Sequence, residues 1–306
     1  MTPVAVCIVS FRDPQQILNC LEALAATTVT DFEVLICENG GLESYEALIG
    51  LIPSKLPGGQ AVTCSDAGGN LGYAGGVNHC IALRPHARAW WVLNPDTSVS
   101  SQALGEMLRK LEAEAYDAVG GLLLHPQGTV QACGGRWHMA LARAESIGHG
   151  QQPQDIPPVH EVERRMNYIL GASMLISPRF VSIAGLMRED YFLYAEEIEW
   201  CLRGLKAGMR LGYAPQAVVH HGQGATTGSA ANITARPRLP IFLDERNKLL
   251  VVRDSSPAFL AMAIPAAFGL AFLRFASRCA WRQWHYAVSG WWAGVRGVRG
   301  RPSWLG

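Results

Sequence analysis

Apolar positions in the first 120 residues switch between short continuous runs and sets spaced at helical intervals. Val4 to Val9 is a continuous β-prone run, which predicts a buried strand. Asp13-Pro14 follows as a helix cap with proline at the first helical position, and Ile17, Leu18, Leu21 and Leu24 then recur on one helical face. Phe32 to Cys37 predicts a second strand, stopped by the turn-forming cluster Glu38-Asn39-Gly40-Gly41. Trp90 to Leu93 predicts a third, ending at Asn94-Pro95-Asp96-Thr97, with a helix around Ala103 to Leu111. Strands alternating with helices in this way predict an α/β fold with a mostly parallel sheet covered on both faces.

Further along, Gln127 to Asp155 is rich in Gly, Pro, Gln and His and predicts an irregular or hairpin excursion. Regular patterning resumes at Tyr168 to Ile176, then in a helix from Glu196 to Ala207 stopped by Gly208. A strand-like run from Arg210 to Val219 ends at His220-His221-Gly222. There is no internal repeat.

Composition narrows the class. The chain has 306 residues, enough for one large or two smaller domains, and is 49% hydrophobic and only 17% charged, so it folds around a sizeable core. A formal net charge of +1 supplies no basic field for nucleic acid. That sum hides a division: Asp254 is the last acidic residue, and Arg274, Arg278, Arg282, Arg296, Arg299 and Arg301 follow it. The eight cysteines form no Cys-x-x-Cys pair and read as reduced thiols of a cytosolic protein. Met1 to Arg12 lacks a basic n-region, so no signal peptide is expected.

In parallel sheets of this kind ligands bind beyond the carboxyl ends of the strands, where Ser10 to Arg12, Glu38-Asn39 and Asp96 all fall. Any one of these is ordinarily a turn; three at equivalent positions point to a site. Gly68 to Asn78 is a glycine-rich loop leading into a helix, a form that lets backbone N–H groups approach phosphate, although it is neither Gly-x-Gly-x-x-Gly nor a lysine-bearing P-loop. Asp96 offers one carboxylate, sufficient for a hard cation that completes its shell with water and diphosphate oxygens. Glu196, Glu197 and Glu199 form an acidic cluster between aromatics, with Glu196 and Glu199 on one helical face and Glu197 turned about 100° away. Like-charge crowding there raises a carboxylate's pKa and a helix N-terminus lowers it.

Taken in order, these motifs resemble the inverting glycosyltransferases of family 2, with the GT-A fold, and above all their rhamnosyltransferase-like branch. The residues that carry the resemblance are Val9-Ser10-Phe11, Glu38-Asn39-Gly40, Asn70 to Gly76, Asn94-Pro95-Asp96, Gly171-Ala172, Tyr194 to Trp200 with Arg203, and Pro215 to Thr227. It implies that Ser10, Phe11 and Glu38 hold the nucleoside, with Glu38 standing where the family usually has aspartate, and that Asn70 and Gly72 flank the nucleotide. Asp96 matches the metal-binding aspartate, His221 the histidine that joins the metal in some relatives, Glu197 the acceptor-activating base and Glu196 the acid before it. The implied activity is inverting transfer of a sugar, rhamnose among the candidates, from a nucleotide-diphosphate sugar to a glycan or lipid-linked acceptor of a bacterial cell envelope, with Mg²⁺ or Mn²⁺. The resemblance also divides the chain into a nucleotide-sugar-binding part (1–97), an acceptor-binding and catalytic part (98–250) and a C-terminal helical segment (251–306). A nucleotidyltransferase, or a non-catalytic, membrane-docked carbohydrate-binding relative, are the competing readings.

Ser255 to Leu273 holds no charged residue, close to the roughly 20 apolar residues a bilayer span requires, but Pro257, Pro265 and Gly269 interrupt it. Trp281, Trp284, Trp291, Trp292 and Trp304 follow, interleaved with arginines, a combination suited to an anionic membrane interface. The expectation is helices lying on the cytoplasmic face of the inner membrane, separable from a nucleotide-sugar domain that ends by Asp254. The alternative is a buried hairpin or a homo-oligomer interface.

Overall fold

The computed structural model describes residues 2–222 and 232–305. Its strands are β1 (Val4–Ser10), β2 (Phe32–Glu38), β3 (Val62–Asp66), β4 (Trp90–Leu93), β5 (Thr97–Val99), β6 (Ala118–Leu124), β7 (Val130–Ala132), β8 (Gly135–His138), β9 (Arg143–Ser146), β10 (Ser173–Ile176) and β11 (Leu211–His221). The helices are α1 (Pro14–Ala25), α2 (Leu42–Ile49), α3 (Gly72–Leu83), α4 (Ala103–Ala113), α5 (Val159–Arg165), α6 (Pro178–Ala184), α7 (Glu196–Lys206), α8 (Arg238–Ser255), α9 (Leu260–Arg274) and α10 (Trp281–Val295).

One sheet runs β3-β2-β1-β4-β10-β6-β11-β5, with β7 pairing antiparallel to the end of β6 at Leu123 and Leu124. β1 shows why its sequence is apolar throughout. Ala5, Cys7 and Val9 pack towards Val77, Cys80 and Ile81 of α3, whereas Val4, Val6 and Ile8 pack towards Ile17, Leu21 and Leu24 of α1 and Met107 of α4. Period-2 alternation sends successive side chains to opposite faces, and both faces are covered. The Asp13 cap forms as expected, its Oδ1 accepting from the Gln16 N–H at 3.3 Å.

Register then builds the site. Ser10 pairs with Glu38 and Glu38 with Asp66, so three strands end level. β10 enters antiparallel between β4 and β6, with Ser173 opposite Leu93, which sets Gly171-Ala172 beside the turn that follows β4. β6 and β11 are parallel, with an irregularity between Ala214 and Val218 where Pro215 interrupts the ladder.

Two local differences from the sequence reading have physical causes. The turn after Leu93 does not lead straight into a helix, because β5 first pairs antiparallel with β11, His221 opposite Thr97. For the same reason β11 continues through His220 and His221. The excursion at 127–155 contains the expected hairpin, β8 with β9. The divisions at 97/98 and 250/251 fall at β5 and within α8.

The C-terminal helices pack closely on the rest of the fold. A Cβ on Gly290 would stand 2.3 Å from the Phe242 carbonyl oxygen, and one on Gly294 2.7 Å from that of Arg246, so α10 lies directly against α8. Arg299 makes a bidentate pair with Asp254, which also accepts from the Tyr191 hydroxyl. On α9, Ala263, Ala267 and Ala271 are buried at i, i+4 spacing, while Met262 and Leu273 are 58% and 62% exposed.

Candidate active site

The level ends of β1 and β2 form the first wall. Glu38 and Ser10 are both buried, and the Ser10 hydroxyl donates to Glu38 Oε2. The backbone N–H groups of Gly40 and Arg12 donate to Oε1 at 2.7 and 3.2 Å. Both oxygens of this carboxylate are therefore engaged, one by the end of β1 and the other by the loops that follow β1 and β2. An open depression of about 400 Å³ lies alongside, lined by Arg12, Pro14, Glu38, Gly40, Glu43 and Ser44 among others. Phe11 is half-buried at its edge of β1, with the Arg12 guanidinium 5.1 Å from its ring centre.

The glycine-rich loop forms the second wall. Asn70 Oδ1 accepts from the Gly72 N–H at 3.0 Å, and Asn39 Nδ2 donates to the Gly72 carbonyl at 2.8 Å, fixing the start of α3 to the end of β2. Gly72 has φ +74°, and a Cβ there would sit 2.1 Å from the Phe192 carbonyl oxygen. Only glycine fits this approach. The adjacent Tyr73 N–H donates to that same carbonyl at 2.8 Å, and the Tyr73 hydroxyl donates to the Gly171 carbonyl at 2.7 Å.

Asp96 and His221 meet across β5 and β11. Asp96 Oδ1 is 3.2 Å from His221 Nε2, Asn94 Nδ2 is 3.3 Å from the same nitrogen, and Gln131 Oε1 is 2.9 Å from His221 Nδ1. Nδ1 is engaged by Gln131, which orients the ring and turns Nε2 towards Asp96, the orientation a metal-ligating imidazole requires. One carboxylate and one imidazole suit Mg²⁺ or Mn²⁺, which take their remaining ligands from water and phosphate. Among the described residues no group of three or more His, Cys, Asp or Glu side chains could hold a metal unaided.

The acidic cluster divides by environment. Glu199 is buried against Arg203, whose guanidinium also donates to the Ala184 and Leu186 carbonyls, so this pair holds α7 in place. Glu196 is buried, one of its oxygens has no hydrogen-bond partner, and burial followed by the charge of Glu197 raises its pKa well above the ordinary carboxylate value. Glu197 lies beside Tyr73 and Gly171: a Cβ on Gly171 would be 3.6 Å from both Glu197 Cγ and Tyr73 Cε1. Burial pushes the Glu197 carboxyl up to about 7, against the lowering pull of N–H groups at the start of α7. The influence that outweighs the helix N-terminus here is burial, not the like-charge crowding expected from the sequence.

The short strand lead at Gly171-Ala172 joins these parts, because the Ala172 carbonyl accepts from the Asn94 N–H at 3.0 Å while Gly171 faces Glu197. Gln131 and the α8 pair Arg246 and Asn247 also belong to the site's framework, and no motif in the sequence marks them. The Gln223 to Thr227 part of the Pro215 to Thr227 motif lies outside the described residues.

The profile of "Glycosyltransferase like family 2" matches residues 2–238. The chain belongs to this family. The low-salt glycan biosynthesis hexosyltransferase Agl10 of Haloferax volcanii is 25% identical over 188 residues, covering 60% of this chain and 58% of that protein. The N-acetylglucosaminyl-diphospho-decaprenol L-rhamnosyltransferase of Mycobacterium tuberculosis is 24% identical over 250 residues, covering 74% and 79%. Among solved structures, S. aureus TarS 1-349 superposes with TM-score 0.57 at 11% identity over 96% of this chain and 81% of its own. The mannosyltransferase PcManGT from Pyrobaculum calidifontis, in complex with GDP-Man and Mn²⁺, gives 0.57 at 12% over 96% and 88%. The fold of this family 2 chain is GT-A, as the ordered motifs implied.

Proposed function

We propose that this family 2 protein transfers a sugar, with inversion, from a nucleotide-diphosphate sugar to a hydroxyl of a glycan or lipid-linked acceptor. The observation that carries the proposal is a carboxylate poised near neutrality beside Gly171 and Tyr73, with the neighbouring Ala172 bonded to Asn94, two residues before the Asp96 that meets His221. Asp96 and His221 would hold Mg²⁺ or Mn²⁺ at the diphosphate; when bound, the ion stabilises the negative charge that develops on the departing nucleotide. Glu197 takes the proton from the acceptor hydroxyl at Oε as that oxygen attacks the anomeric carbon from the face opposite the leaving group. Glu196 lies buried beside the base, with its pKa raised well above the ordinary carboxylate value by burial and by the charge of Glu197. Asn70 and Gly72 border the nucleotide, and the Ser10–Glu38 unit with Phe11 frames the base and ribose. The lipid-linked substrate in the name of the mycobacterial relative supports a rhamnose donor and a polyprenyl-type acceptor here.

An acceptor of that kind would be met at a membrane. Pro257–Arg278 is long and apolar enough to cross one, with mean hydropathy 1.8. Yet α9 itself, 15 residues, extends only about 22 Å against a hydrocarbon core of about 30 Å. Its buried alanine stripe and exposed Met262, Phe272 and Leu273 favour a helix lying in the plane of the cytoplasmic leaflet. Nucleotide release from a panel of UDP-, GDP- and dTDP-activated hexoses, with and without EDTA, tests the enzymatic proposal. Release that requires the metal supports it, and silence across the panel in both conditions favours a non-catalytic carbohydrate-binding role.

A further inference from the structure

The segment from Tyr191 to Ala195 joins the two halves of the site. Its Phe192 carbonyl faces the glycine loop at Gly72 and Tyr73, and its Ala195 is the residue from which α7, with Glu196 and Glu197, begins. Phe192, Tyr194 and Ala195 all have positive φ, 68°, 74° and 68°, without being glycine. Non-glycine residues held in that region are costly and persist where their surroundings over-determine them.

The over-determination comes from α8. Asn247 is fully buried and its Nδ2 donates to the carbonyls of Tyr191, Leu193 and Tyr194 at 3.0, 2.8 and 2.7 Å. Its Oδ1 accepts from Arg246 Nε at 2.8 Å, which fixes which end of the amide faces the segment. Arg246, equally buried, donates to the Tyr191 carbonyl at 2.8 Å and to the Gly300 carbonyl at 2.6 Å. Carbonyls 191, 193 and 194 are thus drawn to α8, leaving 192 for the glycine loop.

We infer that Asn247 is a positioning residue for the transfer step, acting through the 191–195 segment to aim Glu197 at the acceptor. The inference rests on the assignment of Glu197 as base. Asn247 touches none of Ser10, Glu38 or Asp96, and the Phe192 carbonyl, the one in the segment that meets the nucleotide-bordering glycine loop, is not among those it holds, so its effect falls on turnover more than on nucleotide affinity. An ordinary core role would instead lower stability alone.

The decisive variant is Asn247→Asp, which keeps the shape and replaces the donor amide with an oxygen facing three carbonyls. Asn247→Ser serves the same test if the aspartate variant does not fold, and Leu250→Ala, buried on the same helix, is the control for lost packing. Below the melting temperatures of all variants, turnover on the best donor of the hexose panel is expected to fall roughly 10–100-fold in the Asn247 variant. Mn²⁺-dependent UDP affinity should stay within about two-fold, because uniform binding is unaffected, and Leu250→Ala should keep wild-type turnover. Wild-type turnover in the Asn247 variant, a matching loss in Leu250→Ala, or a parallel loss of UDP affinity would each overturn the inference. Glu197→Gln run alongside separates the two assignments: if it stays active the base assignment fails, and if it is dead while the Asn247 variant is normal, only the positioning role fails. Silence of the wild type on every donor overturns both.

Discussion

His221 Nε2 stands 3.2 Å from Asp96 Oδ1, brought there by the antiparallel pairing of β5 with β11. If this pair holds the cation under the diphosphate, Asp96→Ala should weaken Mn²⁺-dependent UDP binding at least about ten-fold, since a ligand and its charge are lost together. His221→Ala should weaken it less, because one neutral donor is replaceable by water. Calorimetry with and without Mn²⁺ checks both, and an unchanged metal-dependent affinity in Asp96→Ala would remove the assignment.

Glu197 carries the second prediction. Glu197→Gln should lower turnover about 10²–10⁴-fold with donor affinity nearly unchanged, the signature of a general base. Burial holds this carboxyl up to about 7, so the basic form is lost as pH falls through 7, and wild-type turnover should decline on the acid side of neutrality. A turnover profile flat from pH 8 down to pH 5.5 would contradict the assignment.

For Glu196 the expected readout is stability. Its pKa is raised in the fold relative to the unfolded chain, so the native state binds the extra proton. The associated stability is present at acid pH and is lost as pH rises above the unfolded value towards the folded one. Melting temperatures of Glu196→Gln and wild type should therefore diverge in favour of the variant as pH is raised from 5 to 8. Parallel curves would mean that Glu196 is ionised in the native protein.

Much of the architecture was legible because β1, β2 and β4 are buried on both faces and so read as unbroken apolar runs, and because Asp13-Pro14 is an unambiguous helix start. Ser10, Glu38 and Asp96 were legible as a group since parallel strands put their carboxyl ends on one side. What could not be read was long-range pairing. Nothing local in Thr97-Ser98-Val99 announces that it will meet β11, and Gln131 becomes a partner of His221 only through the fold. Asn247 sits in a helix whose polar residues Glu245, Arg246 and Asn247 are buried, the reverse of the usual pattern, so periodicity gave α8 no apolar face to find. The close packing of the tail was hidden for a related reason: glycines 290 and 294 look like interruptions and in the structure are the contact itself.

That contact makes its own prediction. Gly290→Leu drives a side chain into the Phe242 carbonyl, 2.3 Å from the new Cβ, and overpacking of this kind typically costs about 1–3 kcal/mol. A chain ending at Asp254 should fare worse, since it strips α10 from α8 and removes Arg299 from Asp254. Soluble, monodisperse and cooperatively melting truncated protein would show that the helices are accessory after all.

The remaining prediction concerns what α9 and α10 face. Met262, Phe272, Leu273 and Trp281 are 58%, 47%, 62% and 62% exposed, and Arg278 and Arg282 lie among them, with no acidic residue following Asp254 in sequence, while Arg274 pairs with Asp244 of α8. Apolar side chains would enter the acyl boundary while the arginines meet anionic headgroups, at about 1 kcal/mol per basic residue near the surface, so binding should weaken as salt screens the charges. Because a truncation would strip α10 from α8, the test uses the full chain with Met262→Glu and Leu273→Glu, both outward-facing. The wild type should sediment with phosphatidylglycerol-rich vesicles at low salt, the double variant should stay in the supernatant, and both should melt alike. If instead the wild type ignores vesicles and self-associates, and the double variant is monomeric, the exposed face belongs to a second copy of the chain and the membrane assignment must be given up.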